Sequence, residues 1–287
     1  MSRLCPGCGG NLRRHRHDWL FRCEACGLLR GELPVTIPEA AEHRGVDEAM
    51  REDGLSGLRH VNNARLLAAL AKLRGSPARL LDVGSGPGFL LSHAKAEGFE
   101  AHGIEPDANT VEAARRSGAK VRQGYFPDAL EDGEQFDIIV FNDVLEHIPD
   151  VEAALAASAA HLADGGVLCL NCPSRHGLFF QAASLLDKLG LRGPFDRLWQ
   201  RGLPSPHLWY FTPADLRRVA GRHGLKPAQE LRLETVQIRG LWARIRCVRD
   251  APLHLAAAAY AFAVLTWPIA RLAPSDAVAI FLRKETP

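Results

Sequence analysis

The stretch RLLDVGSGPGFL, residues 79–90, decides the fold. Leu80, Leu81 and Val83 read as a buried strand, after which Gly84, Gly86 and Gly88 turn the chain into a helix. Glycines suit such a turn because they accept unusual dihedrals and leave no side chain between ligand and backbone. The segment is therefore a cradle for a nucleotide-like ligand. A nicotinamide dinucleotide site would space its glycines G-x-G-x-x-G, whereas here the third falls one place early and Phe89 follows it. That spacing disfavours a nicotinamide enzyme.

Outward from the loop, apolar runs alternate with amphipathic segments. Strands are expected at 78–83, 100–105, 119–123, 136–142 and 166–171, with helices at 87–97, 107–117 and 150–162. A helix at 213–223, a strand near 230–239 and a last strand at 277–283 follow an interruption. A helix from Leu58 through Leu66, Leu67, Leu70 and Leu73 leads in and stops at Gly75 and Pro77. Buried strands alternating with helices of this length specify a doubly wound α/β sheet.

An acidic residue two places before G-x-G-x-G, as Asp82 stands here, resembles the first motif of class I S-adenosylmethionine-dependent methyltransferases. Glu105 ends the second strand 23 residues after Asp82, where a carboxylate accepts hydrogen bonds from both ribose hydroxyls of an adenosine. A helix N-terminal charge, for the helix beginning near Asp107, is the other reading of Glu105. The segment Asn142-Asp-Val-Leu-Glu-His147 and the later run from Ala163 to Pro173 resemble the ubiquinone-biosynthesis O-methyltransferase group. The resemblance covers about residues 60–240. It implies a Rossmann-like sheet of six parallel strands plus one antiparallel. It also implies S-adenosyl-L-methionine held by Asp82, Gly84, Ser85, Gly86, Gly88, Glu105 and Asn142.

A sulfonium methyl needs little activation, so such an enzyme must align a nucleophile and exclude water. An acceptor hydroxyl must still lose its proton or have its oxygen held by a cation. His147 and His207, the latter in PHLWYFTP, are the catalytic candidates near the carboxyl edge of the sheet. Asp143, Glu146, His147 and His207 also resemble the two-carboxylate, two-histidine magnesium site of ubiquinone-pathway and small-RNA methyltransferases, with Asp143 in place of Glu. Magnesium ligation, general base catalysis and a structural role stand side by side for these groups.

Cys5, Cys8, Cys23 and Cys26 form two C-x2-C pairs, each followed by glycine, and aim four thiolates at one tetrahedral zinc. The pattern resembles a zinc ribbon, with Trp19, Leu20 and Phe21 as strand residues between the knuckles. Cys169, Cys172 and Cys247 read as buried small hydrophobes. The chain then divides into a ribbon at 1–31, a linker at 32–57 with at most short helices, and a catalytic domain at 58–287. Apolar insertions at 174–206 and 241–275 are expected to roof the acceptor pocket together.

Net charge is only +2 over 287 residues, so nothing global demands nucleic acid. The first thirty residues are nevertheless basic, with Arg3, Arg13, Arg14, Arg16, Arg22 and Arg30. The N-terminus has no apolar signal region, which places the chain in the cytoplasm. Leu253 to Ala270 holds no charged residue over 18 positions, and a lid, an interfacial helix at 252–272 and a membrane span are its three readings. The expected activity is methyl transfer, preferably to oxygen, on a small or lipid-linked acceptor. An RNA methyltransferase gripping RNA through the ribbon and a non-catalytic cofactor-binding scaffold are the alternatives. Oligomeric state is not encoded in any of these features.

Overall fold

The computed structural model describes residues 4–35, 47–247 and 252–285. The chain opens with β1 (Leu12–Arg14), β2 (Leu20–Cys23), β3 (Leu29–Gly31) and a long helix, α1 (Glu48–Arg74). The central alternation follows as β4 (Arg79–Val83), α2 (Phe89–Ala96), β5 (Glu100–Glu105), α3 (Ala108–Arg116), β6 (Val121–Gln123), β7 (Phe136–Asn142), α4 (Val151–His161) and β8 (Leu162–Pro173). Then come α5 (Leu178–Lys188), α6 (Gly193–Leu198), β9 (Trp209–Tyr210), α7 (Pro213–Gly221) and β10 (Leu225–Arg232). Helices α8 (Leu241–Arg246) and α9 (Leu253–Leu272) lead to the final strand, β11 (Ala277–Lys284).

Seven strands form one sheet in the order β10-β11-β8-β7-β4-β5-β6. Only β11 runs antiparallel, to both of its neighbours. The expected six-plus-one Rossmann-like sheet is thus present. The strand order reverses at β4, and ligands of such sheets lie beyond the carboxyl ends at that point.

Period-two alternation divides the core between the two faces of the sheet. Leu80, Ile138, Val140, Val167 and Cys169 point to the face covered by Leu66, Leu67 and Leu70 of α1. Leu81, Ile139, Phe141, Leu168 and Cys172 point to the opposite face, against Leu155 of α4 and Leu216 of α7. Cys169 and Cys172 are fully buried and Cys247 nearly so.

Helix α1 begins ten residues before the expected Leu58, so the stretch read as linker is in part helical. Asp47 caps it by accepting from Met50 N at 3.0 Å. Gly54 is not a breaker there but a contact: a Cβ would stand 2.8 Å from the backbone nitrogen of Arg244, because α8 crosses against it. Strand β10 begins five residues earlier than the strand expected near 230–239. It is an edge strand paired on one side only, and it carries Pro227 at an irregularity in its register with β11.

The N-terminal strands are not a separate bead. They form a sheet in the order β1-β2-β3-β9, whose fourth strand comes from the segment after the first insertion. Trp19 lies in the turn before β2 rather than in the strand. Leu20 and Leu29 pack against Phe180 of α5, Phe195 and Trp199 in and beside α6, and Tyr210 of β9.

The two insertions behave differently. The first, with α5 and α6, packs on the ribbon and sends Gln200 and Ser205 into the wall of the main cavity. Among the described residues of 241–275, none lines that cavity. The expected shared roof is therefore corrected: α8 is spent on α1, and α9 projects outward, with Ala256 its one buried residue among those described. Leu253, Leu255, Phe262, Leu265 and Leu272 of α9 are 57–86% exposed. Among the described residues, no helix is long and apolar enough to cross a membrane.

Candidate functional site

A cavity of about 560 Å³ opens beyond the carboxyl ends of β4, β7 and β8. The glycine turn after β4 forms one wall. Gly84 has φ +68°, and a Cβ there would stand 2.7 Å from Cγ2 of Val144, so glycine is required on both counts. Gly86, with φ +52°, has open space where a side chain would be. Asp82, Gly84, Ser85, Gly86 and Asn142 all face this cavity. Gly88 and Glu105 stand behind its wall.

Glu105 holds the turn from below. Its Oε2 accepts from Gly86 N and its Oε1 from Asp107 N, each at 3.0 Å. Burial pushes its carboxyl up despite those two donors. Asp82 is 3% exposed, and its Oδ1 has no hydrogen-bond partner among the described residues. Burial, reinforced by the Glu105 charge, pushes its carboxyl up to about 8. Across the floor, Asn171 Nδ2 donates to Asn142 Oδ1 at 2.7 Å and to Asp143 Oδ1 at 3.1 Å, while its own Oδ1 is unpartnered. Orphaned buried acceptors beside an open glycine turn fit a ligand that brings donors and positive charge.

The opposite wall comes from the 3-10 turn Leu145–His147 and the segment before β9. His147 Nδ1 lies 3.0 Å from the carbonyl of Pro206, which fixes the proton on Nδ1 and leaves Nε2 with a lone pair. That Nε2 is 4.0 Å from Glu146 Oε1. The His207 ring is committed on both sides, with Gln200 Nε2 donating to its Nε2 at 2.9 Å and Tyr210 Oη 3.4 Å from its Nδ1. The two imidazoles meet edge to face at 4.8 Å. Burial pulls both below the usual histidine range, His207 to about 3 with the neighbouring His147 as second cause. Glu146 is 1% exposed, its Oε2 unpartnered, and burial followed by the Asp143 charge raises its carboxyl.

The four residues read as a magnesium set are brought together in part. Glu146, His147 and His207 present ligand atoms within 4.8 Å of one another, but Asp143 is not among them. Its backbone takes φ +58° at the end of β7, and its carboxylate is turned to Asn171. One carboxylate and two imidazoles make a poor donor set for magnesium, which demands an octahedron of oxygens.

Helix α1 also contributes to the cavity through Leu55, Arg59, Asn62 and Asn63, which no motif announced. The adjacent pair Asn62-Asn63, just before the apolar run from Leu66, was the available signal. Gln200 and Ser205 were hidden in an insertion read as apolar cover.

At the far end of the ribbon, the sulfurs of Cys5, Cys8, Cys23 and Cys26 lie within 4.8 Å of one another. Cys5 and Cys26 are 3.5 Å apart, Cys8 and Cys23 3.4 Å. Four sulfurs placed tetrahedrally about zinc would stand about 3.8 Å apart. The geometry therefore suits a zinc ion with small adjustment.

A doubly wound sheet with a left-handed glycine turn at its switch point defines a nucleotide-cofactor-binding fold, and an imidazole stands in the facing wall. Residues 56–230 match the family model described as a methyltransferase domain. The chain belongs to that family and is an S-adenosylmethionine-dependent methyltransferase. Ubiquinone biosynthesis O-methyltransferase of Nitrobacter winogradskyi is 33% identical over 171 residues, which span 57% of this chain and 60% of that protein. The Bordetella avium protein of the same name is 30% identical over 178 residues, 59% of this chain and 71% of its own length. Cyclopropane synthase MmaA2 from Mycobacterium tuberculosis aligns with a TM-score of 0.55 at 20% identity, over 77% of this chain and 83% of that one. Magnesium protoporphyrin IX methyltransferase from Synechocystis gives 0.54 at 15% identity, over 81% and 86%. These two likenesses show the fold alone.

The depressed His207 sets an acid sensitivity with a definite sign. In the unfolded chain this imidazole takes a proton near pH 6.5, but in the fold only near 3, so the unfolded state binds more protons in between and stability falls as pH drops through that window. His207→Gln is expected to flatten the dependence of unfolding free energy on pH between 6.5 and 3, as read by denaturant titration. An unchanged slope would show that His207 is protonated in the fold.

Proposed function

We propose that this enzyme transfers the methyl group of S-adenosylmethionine to a hydroxyl oxygen of a small acceptor carried on an apolar tail. The observation that carries the reading is His147, whose Nδ1 is tied to Pro206 and whose Nε2 faces Glu146 at 4.0 Å in the cavity wall. The bound cofactor supplies an electrophilic methyl on a cationic sulfur. Asp82 offers a buried carboxyl to its ammonium group, the turn at Gly84, Ser85 and Gly86 offers backbone, and Glu105 fixes that turn while keeping lone pairs for the ribose. Asn142 is held in the cavity floor by Asn171.

His147 then takes the acceptor's proton at Nε2, with the Glu146 carboxyl 4.0 Å away in the same wall. His207 positions the facing segment, since both its ring nitrogens are occupied. The apolar tail is supported by α9, whose leucines and Phe262 stand exposed along the helix. The names of the relatives point to acceptors of the same kind. A zinc ion held by Cys5, Cys8, Cys23 and Cys26 would tie the ends of the ribbon together.

Incubation with labelled S-adenosylmethionine and cell extract separated into lipid, RNA and polar pools is expected to label the lipid pool. His147→Ala should lower the rate by about 10²–10⁴-fold while leaving cofactor affinity intact. Label in RNA would replace this reading with an RNA methyltransferase, and label in no pool would favour a scaffold.

Co-sedimentation with vesicles tests α9 separately. Phe262→Ser with Leu265→Ser should reduce partitioning severalfold, whereas undiminished binding removes the interfacial role. Metal analysis is expected to find one zinc per chain, and chelation should lower the denaturation midpoint. A metal-free protein of unchanged stability would refute the zinc assignment.

A further inference from the structure

A second cavity, of about 340 Å³, lies at the seam between the ribbon and α5 and shares no residue with the first. Its walls carry His15, Arg16 and Arg22 from the ribbon, Arg175 and His176 from the loop after β8, and Lys188 from α5. No acidic side chain lines it among the described residues. The guanidiniums of Arg22 and Arg175 come together beside Gly27: a Cβ there would stand 3.4 Å from Arg22 Nη2 and 3.5 Å from Arg175 Nη1.

Gathering like charges is unfavourable unless something compensates them. Asp187 lies 3.1 Å from Arg16, but it is shared with His17 at 2.9 Å. Asp215 lies 3.0 Å from Arg175, but it is shared with Arg218 at 3.4 Å. Arg22 and Lys188 have no carboxylate within ion-pair distance among the described residues. The unbalanced field is felt by His15, which is held below its ordinary range by burial first and then by Arg16 and Arg22. Gln181 and Ser184 add neutral polar groups to the same walls.

We propose that this seam is a binding site for a phosphoryl or diphosphoryl group, bound independently of the methyl-transfer cavity. A compact, multiply charged anion is what converging guanidinium forks recognise bidentately. A cavity of about 340 Å³ suits one headgroup or one diphosphate better than the extended backbone of a nucleic acid. Two sources carry that chemistry, a free phosphorylated metabolite and an anionic lipid headgroup. Either one, once seated, would fasten the ribbon to α5 across the seam.

The test is calorimetric titration of the full chain with inorganic pyrophosphate. Arg22→Glu and Lys188→Glu, both at exposed positions, should each weaken binding about tenfold or more, with S-adenosylhomocysteine binding unchanged as evidence of intact folding. Arg22→Lys should keep part of the affinity. Competition with vesicles of phosphatidylglycerol, set against phosphatidylcholine, separates the sources. Displacement from the anionic vesicles by pyrophosphate identifies a headgroup site, and pyrophosphate binding with no effect on either vesicle identifies a soluble ligand. The proposal fails if pyrophosphate gives no heat or binds both Glu variants as it binds the parent. It also fails if single-stranded RNA binds with a steep salt dependence that pyrophosphate does not compete.

Discussion

The antiparallel pairing of β3 with β9 is the contact on which the acceptor side of the cavity depends. Leu208 stands between two structures: its carbonyl accepts from Gly31 N at 2.8 Å, and its own N–H donates to Glu146 O at 2.7 Å. One residue thus ties the ribbon to the turn that bears Glu146 and His147. The neighbouring side chains repeat the link, since Trp209 Nε1 donates to Ile148 O at 2.9 Å while Arg30 lies 5.3 Å from the centre of the Trp209 ring. Without the ribbon, β9 would be a two-residue extended segment with an open edge, too short to hold its own register.

This dependence gives the four-cysteine cluster a reach beyond its own loops. Strand β2 ends on Cys23 and pairs with β3, and β3 pairs with β9. His207 sits one residue before Leu208, with its backbone N–H donating to Trp199 O at 3.1 Å. Order at the sulfurs is therefore passed through two hydrogen-bonded strands to the wall facing the glycine turn. The ribbon is better described as a buttress of the active-site wall than as an appended module.

Much of this was legible in the sequence, and the limits have physical reasons. The glycine turn, the alternating strands and the cysteine knuckles each impose a local requirement on residue type, so they survive without knowledge of the fold. The early start of α1 was obscured because Gly54 looks like a breaker, and only the crossing of α8 explains why no side chain fits there. Strand β10 was displaced because an edge strand need not alternate, while the apolar residues after it line a pocket instead. The four residues read as a magnesium set come together only in part because adjacency in sequence does not fix direction: the left-handed backbone at Asp143 aims its carboxylate at Asn171. The pairing of ribbon with β9 joins residues far apart in the chain, and neither strand has a pattern that names its partner.

The two cavities are opposite in electrostatic character, and that contrast sorts their ligands. The main cavity buries Asp82 and Glu146, each with one oxygen that no donor among the described residues satisfies, so a cation entering it recovers the cost of burying them, while an anion would add to it. The seam has the reverse balance, with basic residues from ribbon, loop and α5 lining it and no acid among the described wall residues. A sulfonium cofactor and a phosphorylated ligand would therefore not compete for one site in this chain. Arg175 and Pro173 mark how short the separation is, two residues apart at the end of β8, one facing the cations and the other the acids. A single strand end divides the two fields, which is why the first insertion can serve as wall to both.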